Sequence, residues 1–316
     1  MKTNRLKILP LRAVILALVF AFAMTQQLKA VSGDSTQTDD TSKVSSGALY
    51  KVLGFTAVYY PLSMYVLGKT WYKDRGLTPL HFDNDNSGYL QVDKFGHVFG
   101  SYVYSYAGLH LMSDIGFTKE ESLYFGSSFG FILMLPIEIM DGFHEGYGFS
   151  WGDIIANSMG SLLVLGNELL FNKQLIRYKF SYWESPYSAK ANGYLGENSF
   201  DRIFKDYNGH TYWLSVPINS IISNGLLPSW LCLSAGYSAN GMYGEYGNIS
   251  EYKGVLIPKA ERYRQFFLSL DIDWSKIETD SGFLKAILSG LSFIKFPFPA
   301  VEYNTKGKIL WRWIYF

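Results

Sequence analysis

Four long apolar segments dominate the first half of the chain: Val52–Leu67, Phe95–Met112, Ser122–Ile139 and Ile154–Leu170. Each matches the length of a short bilayer span or of a fully buried helix, and periodicity alone does not separate the two. Small residues recur four apart in three of them, at Gly96 and Gly100, Gly126 and Gly130, and Ala156 and Gly160. That spacing lays a smooth strip along one helix face and lets backbones approach closely. Pro61 and Pro136 are expected to kink these segments or end turns.

Beyond Asn172 the period changes from helical to alternating. In RQFFLSLDIDWSKI the residues Phe266, Leu268, Leu270, Ile272 and Trp274 point one way, and Phe267, Ser269, Asp271, Asp273 and Ser275 the other. This is the signature of a strand with one buried face. Tyr212–Ile218, Trp230–Ser238, Ala300–Tyr303 and Lys308–Phe316 read as further strands, with Asn304–Gly307 as a hairpin turn between the last two. Phe283–Ile294 carries an apolar helical stripe, and no repeat is evident. The expected fold is therefore α+β: an apolar bundle of three to four helices over 48–172, then a small antiparallel β-rich region over 173–316. The alternating segments are too few for a self-contained spanning barrel, which needs at least about eight strands. Trp311, Trp313, Tyr315 and Phe316 fit either an ordinary core strand or a set of interfacial anchors.

The N-terminus carries Lys2, Arg5, Lys7 and Arg12 ahead of the short apolar run Ala13–Met24. Residues 1–30 read as a cleaved signal peptide, with sites after Ala23 or Ala30, and 31–47 as a polar disordered linker. No cysteine follows the apolar run, so an exported envelope protein without a lipid anchor is expected, in the periplasm or associated with the outer membrane. Composition adds two constraints. Charged residues are only 17% of the 316, against 48% hydrophobic and 17% aromatic, a balance suited to membrane interfaces and sheet surfaces. A net charge of +1 gives no electrostatic footprint for nucleic acid, and the single Cys232 excludes an internal disulfide and cysteine-based zinc sites.

His81–His97 resembles a calcium loop, with Asp83, Asp85, Ser87 and Gly88 at coordinating-loop positions and Leu90 after the glycine. Lys94, however, stands where a bidentate glutamate must close the shell. Calcium is not expected there, and the acids serve equally well as turn formers. The polar residues of interest come in pairs near segment ends. Asp93 and His97 are four apart, Glu138 and Asp141 three apart, and Asp153 and Asn157 four apart. If neighbouring helices are antiparallel, these pairs converge at one end of the bundle. Ionisable groups on apolar helices cost several kcal/mol unless paired, which a neighbour, Lys94 or a metal would provide. A structural alternative stands beside this one, with Ser150 as an N-cap, Asp153 as a first-turn acid and Glu138–Lys94 as an ion pair.

The strings DKFGH, EIMDG and GFSWGDIIANSMG, in this order, resemble the YfiM-like group of predicted periplasmic lipoproteins of unknown function. Their order is also similar to VanZ-like membrane proteins, a family linked to glycopeptide resistance. The resemblance covers about Trp71 to Asn167 and marks Asp93, Lys94, His97, Glu138, Asp141, Gly142, Ser150, Asp153, Asn157 and Gly160. It implies no established chemistry, and the β-rich half lies outside it.

Two functions fit these residues. One is a non-catalytic envelope protein whose buried polar cluster is structural or binds a membrane-lipid or envelope-glycan headgroup. The other is a membrane-associated hydrolase of a lipid-linked or phosphorylated substrate. In that case His97, Glu138, Asp141 and Asp153 would hold a divalent metal, and Glu138, Asp141 and Asp153 would be the catalytic candidates.

Overall fold

The computed structural model describes residues 44–73, 75–222 and 227–316. The signal-peptide reading of 1–30, and the linker reading up to residue 43, fall outside them. The described chain divides into a helical unit, 44–86 with His97–Gln174, and a sheet unit, Ser87–Gly96 with Leu175–Phe316. The fold is α+β, helices first and antiparallel sheet second.

Four helices build the helical unit. Helix α1 is Ser46–Trp71, α2 Val92–Asp114, α3 Lys119–Gly142 and α4 Trp151–Phe171. Helix α1 begins inside the stretch read as linker, capped by the Ser45 hydroxyl. Helix α3 starts with a Thr118/Glu121 capping box and includes a π-helical turn at Ser122–Gly126. The helices run alternately up and down. At one end Ser45 N–H donates to Ile115 C=O, and Lys119 lies 3.5 Å from Asn172 Oδ1. At the other, the Tyr72 hydroxyl donates to Asp141 at 2.6 Å, and strand β1 (Phe82–Asp83) pairs in parallel with β2 (Phe149–Ser150).

Both prolines lie inside helices that continue past them. Proline removes an N–H and crowds the preceding turn, so freed carbonyls need other donors. Pro136 leaves the Ile132 carbonyl without its helical donor, and at the adjacent Leu133 C=O the Tyr60 hydroxyl donates at 2.7 Å.

The glycine strip works chiefly through backbone contact. A Cβ on Gly130 would sit 1.9 Å from Ser101 C=O, and one on Gly160 would sit 2.4 Å from Val98 C=O. Gly126 likewise packs on the Leu109 backbone and Ala156 is buried, whereas Gly100 faces only the Met134 side chain and Gly96 the Tyr212 hydroxyl. Serines fill the seam. Ser105 and Ser161 hydroxyls lie 2.9 Å apart, and they accept from the amides of Gly130 and Phe131, also at 2.9 Å.

The helical unit buries polar side chains among apolar ones such as Tyr102, Met112, Met134 and Val164, and exposes apolar stripes outside. Ser101, Ser105, Ser127, Glu138, Asp153, Asn157 and Ser161 are buried. On α4, Trp151, Ile155, Met159, Leu162 and Leu169 are exposed, a stripe at helical spacing. Leu53, Val58, Leu62 and Tyr65 on α1, and Tyr124, Phe125, Ile132 and Ile139 on α3, are exposed as well.

The sheet unit is built on six antiparallel strands in the order β10-β9-β8-β5-β4-β3. They are β3 Arg177–Tyr182, β4 His210–Pro217, β5 Leu231–Asn240, β8 Tyr263–Ile272, β9 Phe298–Asn304 and β10 Lys308–Tyr315. A two-stranded hairpin, β6 Glu251–Tyr252 with β7 Val255–Leu256, stands apart. Helix α5, Ser199–Lys205, precedes β4, and α6, Gly282–Leu291, precedes β9. The turn from β9 to β10 is at Asn304–Gly307, where Gly307 adopts φ +74°.

The alternation in β8 is present, but the buried face is the polar one. Gln265, Phe267, Ser269 and Asp271 are buried, and Phe266, Leu268 and Leu270 are exposed. In register across the sheet, Leu214, Ala235, Leu268, Val301 and Trp311 form one outward row. Alternation specifies a period and leaves open which side is covered. Under the polar face, Asp271 lies 2.7 Å from Lys179 and 4.0 Å from Lys295, all three fully buried. Burial pushes the Lys295 ammonium down to about 8 against the opposing pull of Asp271.

Three consecutive left-handed residues, Tyr89, Leu90 and Gln91 (φ +44°, +53° and +68°), lead into α2. Each carries a Cβ, so the turn is costly and must be held by its surroundings. Tyr89 N–H donates to Glu245 C=O at 2.8 Å, the Tyr237 hydroxyl donates to Leu90 C=O, and Arg264 donates to Gln91 Oε1 at 2.7 Å.

Candidate functional site

Three helix ends supply the polar residues of the helical unit. His97 comes from the second turn of α2, Glu138 from the last turns of α3, and Asp153 and Asn157 from the first turns of α4. The Ser150 hydroxyl caps α4, accepting from Asp153 N–H at 3.2 Å while donating to Asp85 at 2.5 Å. Asp85, a residue of the calcium-like loop, is thus tied to the helix start. Asp83 accepts from the amide of Asn84, and Asn84 from the side chain of Asn86, the local bonds of a turn.

The imidazole of His97 lies between two carboxylates. Its Nδ1 is 3.1 Å from Glu138 Oε1 and 3.3 Å from Asn157 Oδ1, and its Nε2 is 3.6 Å from Asp153 Oδ1. Asn157 Nδ2 donates to the same Glu138 oxygen at 3.0 Å, so asparagine and histidine together hold one edge of the carboxylate. Glu138 and Asn157 are 0% exposed and Asp153 3%, while the His97 side chain keeps 15%. The second oxygen of Glu138 is buried without a hydrogen-bond partner. Such an atom costs free energy comparable to a lost charge-assisted bond.

The remaining predicted residues have other partners. Asp141 accepts from Tyr72, whose ring stacks on His144. Lys94 lies 3.2 Å from Asp93, and Asp93 also accepts from the Tyr207 hydroxyl at 2.9 Å. Asp93 stands one turn before His97 on α2 and so shares its helix face. The buried serines and Gly108, whose Cβ would meet Gly126 C=O at 2.5 Å, were not legible as site or packing residues.

Aromatics gather at the same end of the bundle. Trp151 is 63% exposed, and its ring stacks on Phe82 and meets Phe149 edge-on.

A family model described as predicted periplasmic lipoprotein (DUF2279) matches residues 81–167, a span that contains every polar residue of this cluster. The match accords with an exported, periplasmic or envelope-associated protein. No curated protein and no solved structure matches the chain.

Proposed function

We propose that the chain is a membrane-embedded envelope protein whose helical unit binds a lipid or envelope-glycan headgroup through the His97–Glu138–Asp153–Asn157 cluster. The observation that carries this reading is the polarity of the bundle, with carboxylates, amides and hydroxyls buried and apolar stripes exposed. In water the exposed apolar stripes gain nothing from burial, and against hydrocarbon they are the stable surface.

Helix lengths of 21 to 26 residues correspond to about 32–39 Å, enough for a hydrocarbon core of about 30 Å. The apolar windows of α3 and α4 are only 28% and 33% buried, which leaves most of their surface for lipid. The cluster then lies at a helix end, level with Trp151, whose amphipathic ring suits the headgroup region. The YfiM-like and VanZ-like motif order supports the same cluster.

A hydrolase built on the same residues would draw Asp141 into the centre, and its bond to Tyr72 favours the binding role. Lipid phosphorus retained by detergent-purified protein tests this role. Wild type is expected to retain about one lipid per chain, and folded His97→Ala and Asn157→Ala variants to lose it. Equal retention by all three would overturn the assignment.

A further inference from the structure

We propose that the cleft at the far end of the bundle, where α2 and α4 end and α3 begins, binds a hydroxylated primary amine of amino-sugar size. It lies at the opposite end of the helices from His97 and does not rest on the headgroup reading of that cluster.

The cleft measures about 550 Å³, within the range of small-molecule sites. Ser122 lines it, is 2% exposed, and has an Oγ without a hydrogen-bond partner. A helical serine ordinarily returns its hydroxyl to a carbonyl of the preceding turn, as Ser158 does to Ile154 at 2.8 Å. Ser122 instead opens the π-helical turn Ser122–Gly126, a distortion that often accompanies functional sites. A buried hydroxyl left unbonded is costly, and a polar ligand reaching into the cleft would satisfy it.

Charge sets the class of ligand. Glu168 lines the cleft, and Gln174 Nε2 donates to its Oε1 at 2.9 Å, which holds the carboxylate in place. Helices α2 and α4 bring their negative ends here, and neither has a basic residue in its last turn. The positive end of α3 is already met by Glu120 and Glu121 in its first turn. Lys119 is the single lysine or arginine among the described lining residues, and it reaches to Asn172 Oδ1 at 3.5 Å. A cation is therefore favoured over an anion. A protonated amine on Glu168 makes a charge-assisted hydrogen bond, roughly twice as strong as a neutral one. The hydroxyls follow from the neutral lining, since His110, Ser113 and Asn172 supply both donors and acceptors. Leu109, Leu123 and Leu169 form an apolar wall for the carbon ring.

The test uses the full chain in detergent, titrated with glucosamine, glucose and cyclohexylamine at a pH that keeps the amines protonated, and read by ligand-observed NMR. Wild type is expected to bind glucosamine at one site, at least about tenfold more tightly than either control. The lead over glucose should collapse in Glu168→Gln, and Ser122→Ala should weaken glucosamine binding about threefold or more. No saturable glucosamine binding by wild type overturns the site. Equal binding of glucose overturns the ammonium assignment, and equal binding of cyclohexylamine the hydroxyl assignment. A lead over glucose that survives in Glu168→Gln overturns the role of that carboxylate. Should the variant fail to fold, the wild-type order of the three ligands decides alone. Loss of the lipid-binding reading at His97 would leave all of these results standing.

Discussion

Asn157 shows how much one side chain does in this cluster. It donates to Glu138, faces His97 Nδ1, and accepts the Ser101 hydroxyl on its backbone carbonyl. Replacing it by alanine leaves the Glu138 carboxylate one donor short, at a cost of about 1–3 kcal/mol in unfolding free energy. Thermal or denaturant unfolding in detergent measures this, and an unchanged midpoint would contradict the bonding described.

A second residue reports through pH. His210, in the sheet unit, is fully buried, and burial lowers it from 6.5 to about 4 despite the bond to Ile203 C=O and the nearby Asp93 charge. The unfolded chain takes up a proton that the folded chain refuses. Stability is therefore full above about pH 6.5 and falls as pH drops from there to about 4. His210→Gln should remove that part of the slope, seen as a smaller drop in melting temperature between pH 7 and 4.5.

At this scale the sequence spacing grouped Asp93, His97, Glu138, Asp141, Asp153 and Asn157 on the expectation that pairs on antiparallel helices meet at matching levels, and hydrogen-bond or ion-pair distances join His97, Glu138, Asp153 and Asn157. It placed Asp141 with them because nothing in the spacing reveals that Tyr72, sixty-nine residues earlier, supplies a competing hydroxyl.

Among the elements, helices α2, α3 and α4 touch backbone to backbone, and this makes a sharp comparison possible on α4. Gly160 has no room for a Cβ, whereas Gly166, six residues on, has nothing within 4 Å. Gly160→Ala should cost about 1–3 kcal/mol by overpacking, and Gly166→Ala should stabilise by about 0.5–1 kcal/mol through helix propensity. Comparable losses at both positions would argue against the close approach.

Helices α2, α3 and α4 were legible within about three residues of their bounds, since long apolar runs bounded by polar loops leave little choice, whereas α1 starts six residues before the apolar run that marked it. The serine seam was not. A lone hydroxyl in an apolar run looks the same whether it bonds a neighbouring helix or its own backbone. The short strand β3 was missed too: Tyr178, Phe180 and Tyr182 alternate with Arg177, Lys179 and Ser181, but the charged pair reads as a solvated surface, and both are buried beside partners that lie far along the chain.

For the whole molecule, the recurring property is the pairing of buried polar groups with exposed apolar rows, in the helices and in the sheet alike. In the sheet it predicts that Leu268→Ser, on the exposed row, changes stability by less than about 0.5 kcal/mol. Asp271→Asn strands Lys179 and Lys295 in the interior and should cost about 3–5 kcal/mol. Sequence alternation could not disclose this, since an inside-out strand and an ordinary one share the same period.

The claim on which most rests is that the outer stripe of α4 meets lipid. Nitroxides placed singly at Ile155, Met159 and Leu162, in a Cys232→Ser background reconstituted in phospholipid vesicles, test it most directly. Oxygen should reach all three labels and the polar relaxant nickel–ethylenediaminediacetate should not. Collisions with the nickel complex as frequent as those at a loop label on Asn84 would contradict a membrane-embedded bundle.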